Sequence, residues 1–298
     1  MSSSPSTHQK NVCGDAYAGS SGLSVYRWSI EASMPVSGGK ASWKKFEKRL
    51  ETSLENAIAC LSSLYRSRST CGLFYAPRWI ARGLRTSPSR SSSVAHLSAT
   101  MLSWMAKCPL AKNIVLSSAG SLSYTTPHTV EKVKDKHDEL VKAVGNALRN
   151  AFFSKRVKAL ELEQMKLCLT LTLKDSTYTV CGVPDLMYLL YGTELGDLIL
   201  VVEATLSPST RHLIYGEMLF YSIAAHIYYG CRTAGLVANP RHVYLISFRE
   251  NAVNRFRRLF SRLEHEKAVE LSENMRTEHP WICSLCDLKH SCPLGSEA

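Results

Sequence analysis

Residues 166–206 read KLCLTLTLKDSTYTVCGVPDLMYLLYGTELGDLILVVEATL, and they constrain the fold more than any other part of the chain. Apolar and polar residues alternate over residues 166–173, which is the pattern of a half-buried strand. After a turn, residues 177–190 continue as strand. Residues 198–206 begin as an uninterrupted apolar run, which is typical of a strand buried on both faces. The segment therefore predicts three successive strands.

Helices are predicted on either side of these strands. Apolar residues spaced three and four apart indicate helices at 98–106 and 129–153 before them, and at 209–229 and 251–274 after them. One more strand is expected at 242–248. The order of these elements predicts the α/β class, with a mixed sheet flanked by helices.

Composition excludes two classes of protein. The chain has 298 residues, of which 45% are hydrophobic, which suits a substantial core and not a wholly disordered protein. Its longest apolar runs, residues 186–191 and 198–202, are far shorter than the roughly 18 residues of a membrane span. No apolar segment follows the first four residues, so the pattern of a secretory signal is missing. We expect a soluble, cytoplasmic protein with no membrane partner.

The first 98 residues differ in composition from the rest. They carry 13 Lys and Arg against 5 Asp and Glu, and 22 serines against 16 in the remaining 200 residues. An amphipathic helix is predicted at about residues 41–66, and residues 86–93 have the composition of a linker. We therefore divide the chain into a basic, partly helical extension (1–98) and a domain (99–298). The extension suits an anionic partner such as nucleic acid, and equally a poorly ordered leader.

Two carboxylates follow or end apolar strands. Asp185 lies in Gly-Val-Pro-Asp, and Glu203 follows five aliphatic residues on the next strand. A carboxylate at the end of an apolar strand is costly unless it is paired or binds a metal, although each acid alone could simply face water. Side by side they would form an oxygen site for Mg²⁺ or Mn²⁺. His137, on the apolar face of the preceding helix, is either a core histidine or a third ligand.

The cysteine spacing is the most specific local signal. Cys283, Cys286 and Cys292 lie within ten residues of one another, which indicates a metal or a cluster. A closed site needs a fourth ligand, for which Cys108 is the natural candidate. Zinc with His290 or His279 as the fourth ligand is the alternative that spacing leaves open.

Taken in order, these features resemble a known family. Cys108-Pro109, His137, Gly182-x2-Asp185, the strand ending in Glu203 and the C-terminal cysteines are similar to the RecB-like nucleases of the PD-(D/E)XK superfamily. Within it, the chain is most similar to the CRISPR-associated RecB-like exonucleases that carry an iron–sulfur cluster. The resemblance covers residues 98–298, and it implies a PD-(D/E)XK restriction-endonuclease-like core with a C-terminal cysteine cluster.

The resemblance also implies roles for individual residues. A [4Fe-4S] cluster would be held by Cys108, Cys283, Cys286 and Cys292. Mn²⁺ or Mg²⁺ would be held by His137, Asp185 and Glu203. The catalytic residues would be Asp185, Glu203 and Tyr221, the last in the position of the family's helical tyrosine.

Two residues depart from the family pattern. The family has Glu-x-Lys on the central strand, where this chain has Glu203-Ala204-Thr205, and no lysine occurs between Lys174 and Lys267. Loss of such a charge-stabilising group typically costs about 10² to 10⁴ in rate. Glu217 stands where the family usually has glutamine, which adds negative charge near the ion. The metal site is thus expected to survive, and the missing lysine leaves both a competent exonuclease and a weakened or inactive one open.

A basic helix is the expected contact surface for DNA. Its arginines are Arg255, Arg257, Arg258 and Arg262. Alone they would indicate a solvated helix face, but a nuclease needs such residues to position phosphates. The resemblance therefore implies a metal-dependent exonuclease acting on single-stranded DNA ends in CRISPR spacer acquisition, with the spacer integrase proteins as partners. Two alternatives are an inactive nuclease fold that binds DNA or an adaptation partner, and a RecB-like exonuclease of general repair.

Overall fold

Two mixed sheets with flanking helices build the fold, which belongs to the α/β class as expected. The computed structural model describes residues 13, 15–18, 23–30, 34, 40–66, 84–85, 94–117, 130–173, 176–191, 197–207, 210–248, 252–278, 288 and 292–294. The strands are β1 (Asp15–Ala18), β2 (Leu23–Ser29), β3 (Leu84–Arg85), β4 (Val94–Ser98), β5 (Lys158–Glu161), β6 (Leu167–Leu173), β7 (Ser176–Gly182), β8 (Leu186–Tyr191), β9 (Leu198–Ala204), β10 (Arg232–Ala238) and β11 (His242–Phe248).

The helices lie before, between and after these strands. They are α1 (Lys40–Arg66), α2 (Ala99–Lys107), α3 (Pro109–Ser117), α4 (Val130–Ser154), α5 (Arg211–Leu213), a π-helical segment (Ile214–Met218), α6 (Leu219–Tyr229), α7 (Ala252–Leu259) and α8 (His265–Glu278). No helix in the described ranges is both long and apolar enough to cross a membrane.

The larger sheet has seven strands in the order β1-β2-β11-β10-β9-β8-β5. β9 lies inside it, parallel to β10 and antiparallel to β8. All seven residues of β9 are buried, as its continuous apolar run predicts. Its two faces pack into different cores, since Ile199 and Val201 belong to the core around α6, whereas Leu200 and Val202 belong to the core around α1 and α4. The C-terminal end of β9 is therefore enclosed from both sides.

The successive strands predicted over residues 166–190 divide between two sheets. β6 and β7 form a smaller four-stranded sheet in the order β3-β6-β7-β4, while β8 joins the larger sheet. The division falls at residues 183–185, where Pro184 lacks the N–H that a continuous ladder would need. A disulfide joins Cys168 to Cys181, which face each other across β6 and β7. The expected single run of strand at residues 177–190 is thus wrong at this point.

Part of the N-terminal 98 residues belongs to the larger sheet. β2, for which the sequence pattern gave no signal, pairs antiparallel with β11. The helix predicted at residues 41–66 is present as α1, and it packs against α4. A disulfide between Cys13 and Cys60 ties this helix to the start of the chain.

The last predicted helix is broken. In place of the one helix predicted at residues 251–274, the chain has α7 and α8, separated by residues 260–264. The break forms because α3 supplies hydrogen-bond partners for the backbone of this stretch. The Asn113 side chain donates to the Leu263 carbonyl at 2.9 Å and accepts from the Leu263 N–H at 3.2 Å. These contacts are long-range, so the local periodicity could not indicate the break.

Candidate functional site

Asp185 and the end of β9 are joined by a hydrogen bond. Leu186 pairs with Val202 in the register of β8 and β9, so Asp185, one residue earlier, lies beside Glu203. The backbone N–H of Ala204 donates to Asp185 Oδ2 at 2.7 Å. The carboxylate therefore caps the last residue of β9.

His137 reaches the same place from α4. Its Nε2 lies 3.1 Å from the Ala204 carbonyl oxygen and 3.5 Å from Asp185 Oδ2. The hydrogen bond to Asp185 raises the pKa of His137 to about 9, against the opposing effect of burial. The histidine is thus held as a cation in neutral solution, with Nε2–H donating toward Asp185 and Ala204.

Glu203 is buried without a complete set of partners. Glu203 is only 6% exposed, and its Oε1 has no hydrogen-bond partner among the described residues. It lies on the face of β9 that carries Ile199 and Val201, toward α6. Burial, followed by the negative charges of Asp185 and Glu217, raises its pKa well above the ordinary value. An orphaned carboxylate oxygen of this kind is costly and indicates a missing cationic or donor partner.

Glu217 extends the carboxylate group to three. It lies in the π-helical segment, a kind of turn that is frequent at functional sites. Burial, together with the charge of Asp185, raises its pKa to about 7 against the opposing interaction with Ser103. The neighbouring Gly216 packs directly on α2, where an added Cβ would come 2.5 Å from the Ser103 nitrogen. The sequence identified Glu217 only as a departure from a family pattern.

Tyr221 supports the segment that carries Asp185. Its hydroxyl donates to the Val183 carbonyl at 3.1 Å, and the residue is 3% exposed. A Cβ on Gly182 would lie 2.6 Å from that hydroxyl, so glycine makes room for it. Burial and the nearby negative charges, Glu203 first, raise the pKa of Tyr221. The Tyr221 hydroxyl therefore holds the backbone that leads to Asp185.

Carboxylate oxygens and an imidazole nitrogen are ligand types that divalent cations such as Mg²⁺ and Mn²⁺ accept. Carboxylate oxygens and a histidine nitrogen meet at the end of β9, and one buried carboxylate oxygen lacks a partner. These side chains are, however, not arranged around a common point at which an ion could bind. Within the described ranges, no group of three or more His, Cys, Asp or Glu side chains is close enough to hold a metal ion. His137 and Asp185 instead satisfy each other and the backbone of Ala204.

Thr205 places no cation at this site. Its hydroxyl accepts a hydrogen bond from the Ser207 N–H at 3.1 Å, and its own N–H donates to the Ala238 carbonyl at 2.9 Å. The residue therefore shapes the turn that leaves β9. The cation that contacts this group of side chains is His137, through Asp185 Oδ2 at 3.5 Å.

Two of the four cysteines expected to hold a cluster lie within the described residues. Cys108 and Cys292 are half-buried free thiols, while Cys283 and Cys286 lie outside the described residues. Cys108 follows α2, and its Sγ lies 3.2 Å from Ser272 Oγ on α8. Leu288, between the C-terminal cysteines, is buried in the same core against which Cys108 packs.

The four arginines proposed for DNA contact have different surroundings. Arg262 donates to the Leu116 carbonyl at 2.6 Å and so helps to fix α3 to the break between α7 and α8. Arg255 is half-buried and lies over the ring of Tyr215. Arg257 is partly exposed and Arg258 is exposed on α7.

Comparison with known proteins leaves the family open. No family model matches the chain, and no curated protein matches it. A solved structure titled "Crystal structure of SSO0001" is similar at 12% identity over 70% of this chain and 90% of that chain. Its TM-score of 0.36 is too low to carry an argument about fold or function.

Proposed function

We propose that the chain is a metal-dependent DNA exonuclease with a PD-(D/E)XK core, which hydrolyses phosphodiester bonds at single-stranded DNA ends. The observation that carries the proposal is the buried Oε1 of Glu203, which has no partner in the described chain and lies beside Asp185. A carboxylate oxygen is left unpaired in a protein interior only at a considerable cost. A divalent cation is the partner that best fits a group of carboxylates.

Residues around the end of β9 would share the work. Asp185, Glu203 and His137 would hold Mn²⁺ or Mg²⁺, which when bound polarises a phosphate and lowers the pKa of a water. For His137 this requires a neutral ring, so the ring would exchange its contact with Asp185 for the ion. Asp185 stays oriented by the Ala204 N–H, and Tyr221 fixes the backbone before Asp185 through Val183.

The remaining parts of the proposal follow the resemblance of the sequence. Cys108, Cys283, Cys286 and Cys292 would hold a [4Fe-4S] cluster that joins the two ends of the domain. The activity would serve CRISPR spacer acquisition, with the spacer integrase proteins as partners. Gel filtration of the purified integrase proteins with and without this chain tests that partnership.

The decisive experiment measures degradation of end-labelled single-stranded DNA with Mn²⁺, using protein purified without oxygen. Wild type is compared with Glu203→Ala and with Glu139→Ala, which removes an exposed carboxylate from α4. We expect wild type and Glu139→Ala to degrade the strand and Glu203→Ala to lose at least about 10² in rate. Equal rates in all three proteins would contradict the proposal. Iron analysis of wild type and Cys108→Ser tests the cluster, and zinc in place of iron would refute it.

A second candidate rests on Thr205. Threonine carries no positive charge, and its hydroxyl is engaged in the turn after β9. A nuclease fold that binds DNA or a partner without cutting is therefore the alternative. DNA binding without degradation, by iron-loaded wild type in Mn²⁺, would favour it. A RecB-like exonuclease of general repair differs from the first proposal only in its pathway.

A further inference from the structure

Tyr215 and Arg255 form a stacked pair that joins the π-helical segment to α7. The guanidinium carbon of Arg255, on α7, lies 3.7 Å from the centroid of the Tyr215 ring, in the π-helical segment. Both residues are partly buried. Stacking on an aromatic ring fixes the plane of a guanidinium and leaves its donors directed outward. Arg255 is thus an ordered cation and not one of many freely moving surface charges.

Two further arginines reach this cation. The charges of Arg211 and Arg258 act on the Arg255 guanidinium and lower its pKa, although burial is the larger cause. Arg211 and Arg258 are exposed, on α5 and α7. Arg211 lies on α5, whereas Arg255 and Arg258 lie on α7, more than 40 residues later in the chain. The cluster of arginines in the sequence of α7 therefore does not include Arg211.

No carboxylate neutralises these arginines in the part of the chain that the structure describes. Arg149, by contrast, meets Glu161 at 2.8 Å at the sheet edge formed by β5. A partly desolvated guanidinium without an anion is unfavourable, and a second and third cation nearby add repulsion. An anionic ligand would remove both costs at once.

The group also lies next to the candidate site. Tyr215 precedes Glu217 by two residues in the same π-helical segment, and the charge of Glu217 acts on Glu203. Side chains two residues apart leave a helical segment on different sides, so the arginines flank the carboxylates and do not face them. Since carboxylates repel phosphates, nearby cations are what a phosphate chain needs to approach them.

We propose that Arg211, Arg255 and Arg258, with the Tyr215 ring, form the surface that binds the phosphate backbone of a single-stranded DNA. Arg211 and Arg258 each contact phosphate, and Arg255 offers a fixed plane on which a base stacks. This surface differs from the helix face suggested by the sequence, because Arg211 joins it and Arg262 is occupied by Leu116. The inference rests on the proposed function only in naming DNA as the polyanion.

Binding is measured without cutting, by fluorescence anisotropy of a labelled oligodeoxynucleotide in EDTA at several salt concentrations. Arg211→Gln and Arg258→Gln are each expected to weaken binding and to lower the salt slope by about 0.7, the value for one single-strand phosphate contact. Arg255→Lys keeps the charge and the slope, but loses the stack and weakens binding by about 5- to 100-fold. Arg232→Gln is the matched control, since Arg232 is exposed at the opposite end of β10 from the residue paired with Glu203.

The results separate this inference from the nuclease proposal. Binding by Arg211→Gln, Arg258→Gln and Arg255→Lys that equals the Arg232→Gln control would overturn the surface, whether or not the protein cuts DNA. Binding that depends on these arginines in a protein that never cuts would uphold the surface and refute hydrolysis alone. Competition by polyglutamate as strong as that by the oligonucleotide would assign an acidic protein partner and overturn the inference. Thermal unfolding of each variant checks that the comparison is made on folded protein.

Discussion

Asp185 Oδ2 accepts a hydrogen bond at 2.7 Å from the backbone N–H of Ala204, which ends the neighbouring strand β9. The same oxygen lies 3.5 Å from His137 Nε2. One carboxylate therefore satisfies the end of a buried strand and holds a histidine from the helix above it. Asp185 therefore has a structural role that requires no ligand.

Asp185→Asn is expected to destabilise the fold and to release His137. Asn can still accept from the Ala204 N–H but has no charge, which weakens the bond by about 1–2 kcal/mol, and the pKa of His137 should fall from about 9 toward its ordinary value. Urea unfolding gives the first effect, and NMR titration of the histidine ring gives the second. Asp138→Asn is the control, because exposed Asp138 lies 3.6 Å from His137 Nδ1 and contributes least among the causes. Equal effects of the two substitutions would contradict the assignment.

The pH dependence of stability should carry the signature of His137. Its pKa is raised in the folded protein from 6.5 to about 9, so the folded state binds the proton more tightly. The stabilisation is complete below about pH 6.5 and is lost as pH rises through about 9. Because a third of the side chain is exposed, solvent screening limits the effect to about 1 kcal/mol or less. The difference in free energy of unfolding between wild type and His137→Gln should shrink between these pH values, and a difference that grows would contradict it.

Glu217 should give a stability change at lower pH. Its pKa is raised from 4.5 to about 7, so the folded protein keeps a proton that the unfolded chain has released. In EDTA, the free energy of unfolding is therefore expected to fall as pH rises from about 4.5 to about 7. Glu217→Gln stays neutral and should lose this contribution to the fall, keeping the contribution of Glu203. It should gain about 1–3 kcal/mol over wild type near neutral pH, since one pKa unit is worth about 1.4 kcal/mol. Parallel unfolding curves for the two proteins across this range would disprove the shift.

Gly182 and Tyr221 are expected to be energetically coupled. A Cβ at position 182 would lie 2.6 Å from the Tyr221 hydroxyl and 2.6 Å from the Ala99 Cβ. Gly182→Ala should cost about 1–3 kcal/mol through overpacking, and Tyr221→Phe about 0.5–1.5 kcal/mol through the lost hydrogen bond. Because Phe removes one of the two clashing atoms, the double variant should be more stable than the sum of the single costs predicts. Additive costs in urea unfolding would show that the hydroxyl does not limit the space.

Local pattern predicted the elements whose evidence lies within one segment. The amphipathic helix at residues 41–66 is α1, and the apolar run before Glu203 is the buried strand β9. The adjacency of Asp185 and Glu203 followed from two strands separated by one turn. These inferences succeeded because hydrophobic periodicity and short connections are properties of neighbouring residues.

Contacts between distant segments were beyond such reasoning. β2 gains its place only by pairing with β11, more than 200 residues away in the chain. The hydrogen bond from Tyr221 to Val183 and the stack of Arg255 on Tyr215 each join different elements. A local pattern also cannot show that Glu203 Oε1 lacks a partner, because that depends on every group packed around it.

Thr205→Lys tests whether the site lacks only a cation. The substitution adds a positive charge beside Glu203 and gives up the hydrogen bond from the Ser207 N–H, at a cost of about 0.5–1.5 kcal/mol. Thr205→Met is the matched control, because it loses the same hydrogen bond and adds a long side chain without charge. If the site hydrolyses phosphodiesters, Thr205→Lys should cut single-stranded DNA in Mn²⁺ about 10²- to 10⁴-fold faster than Thr205→Met. Equal rates would mean that the missing charge does not limit turnover, either because another cation already supplies it or because the fold only binds the strand. The absolute rate separates these two cases, since a fold that only binds the strand cuts it in neither variant.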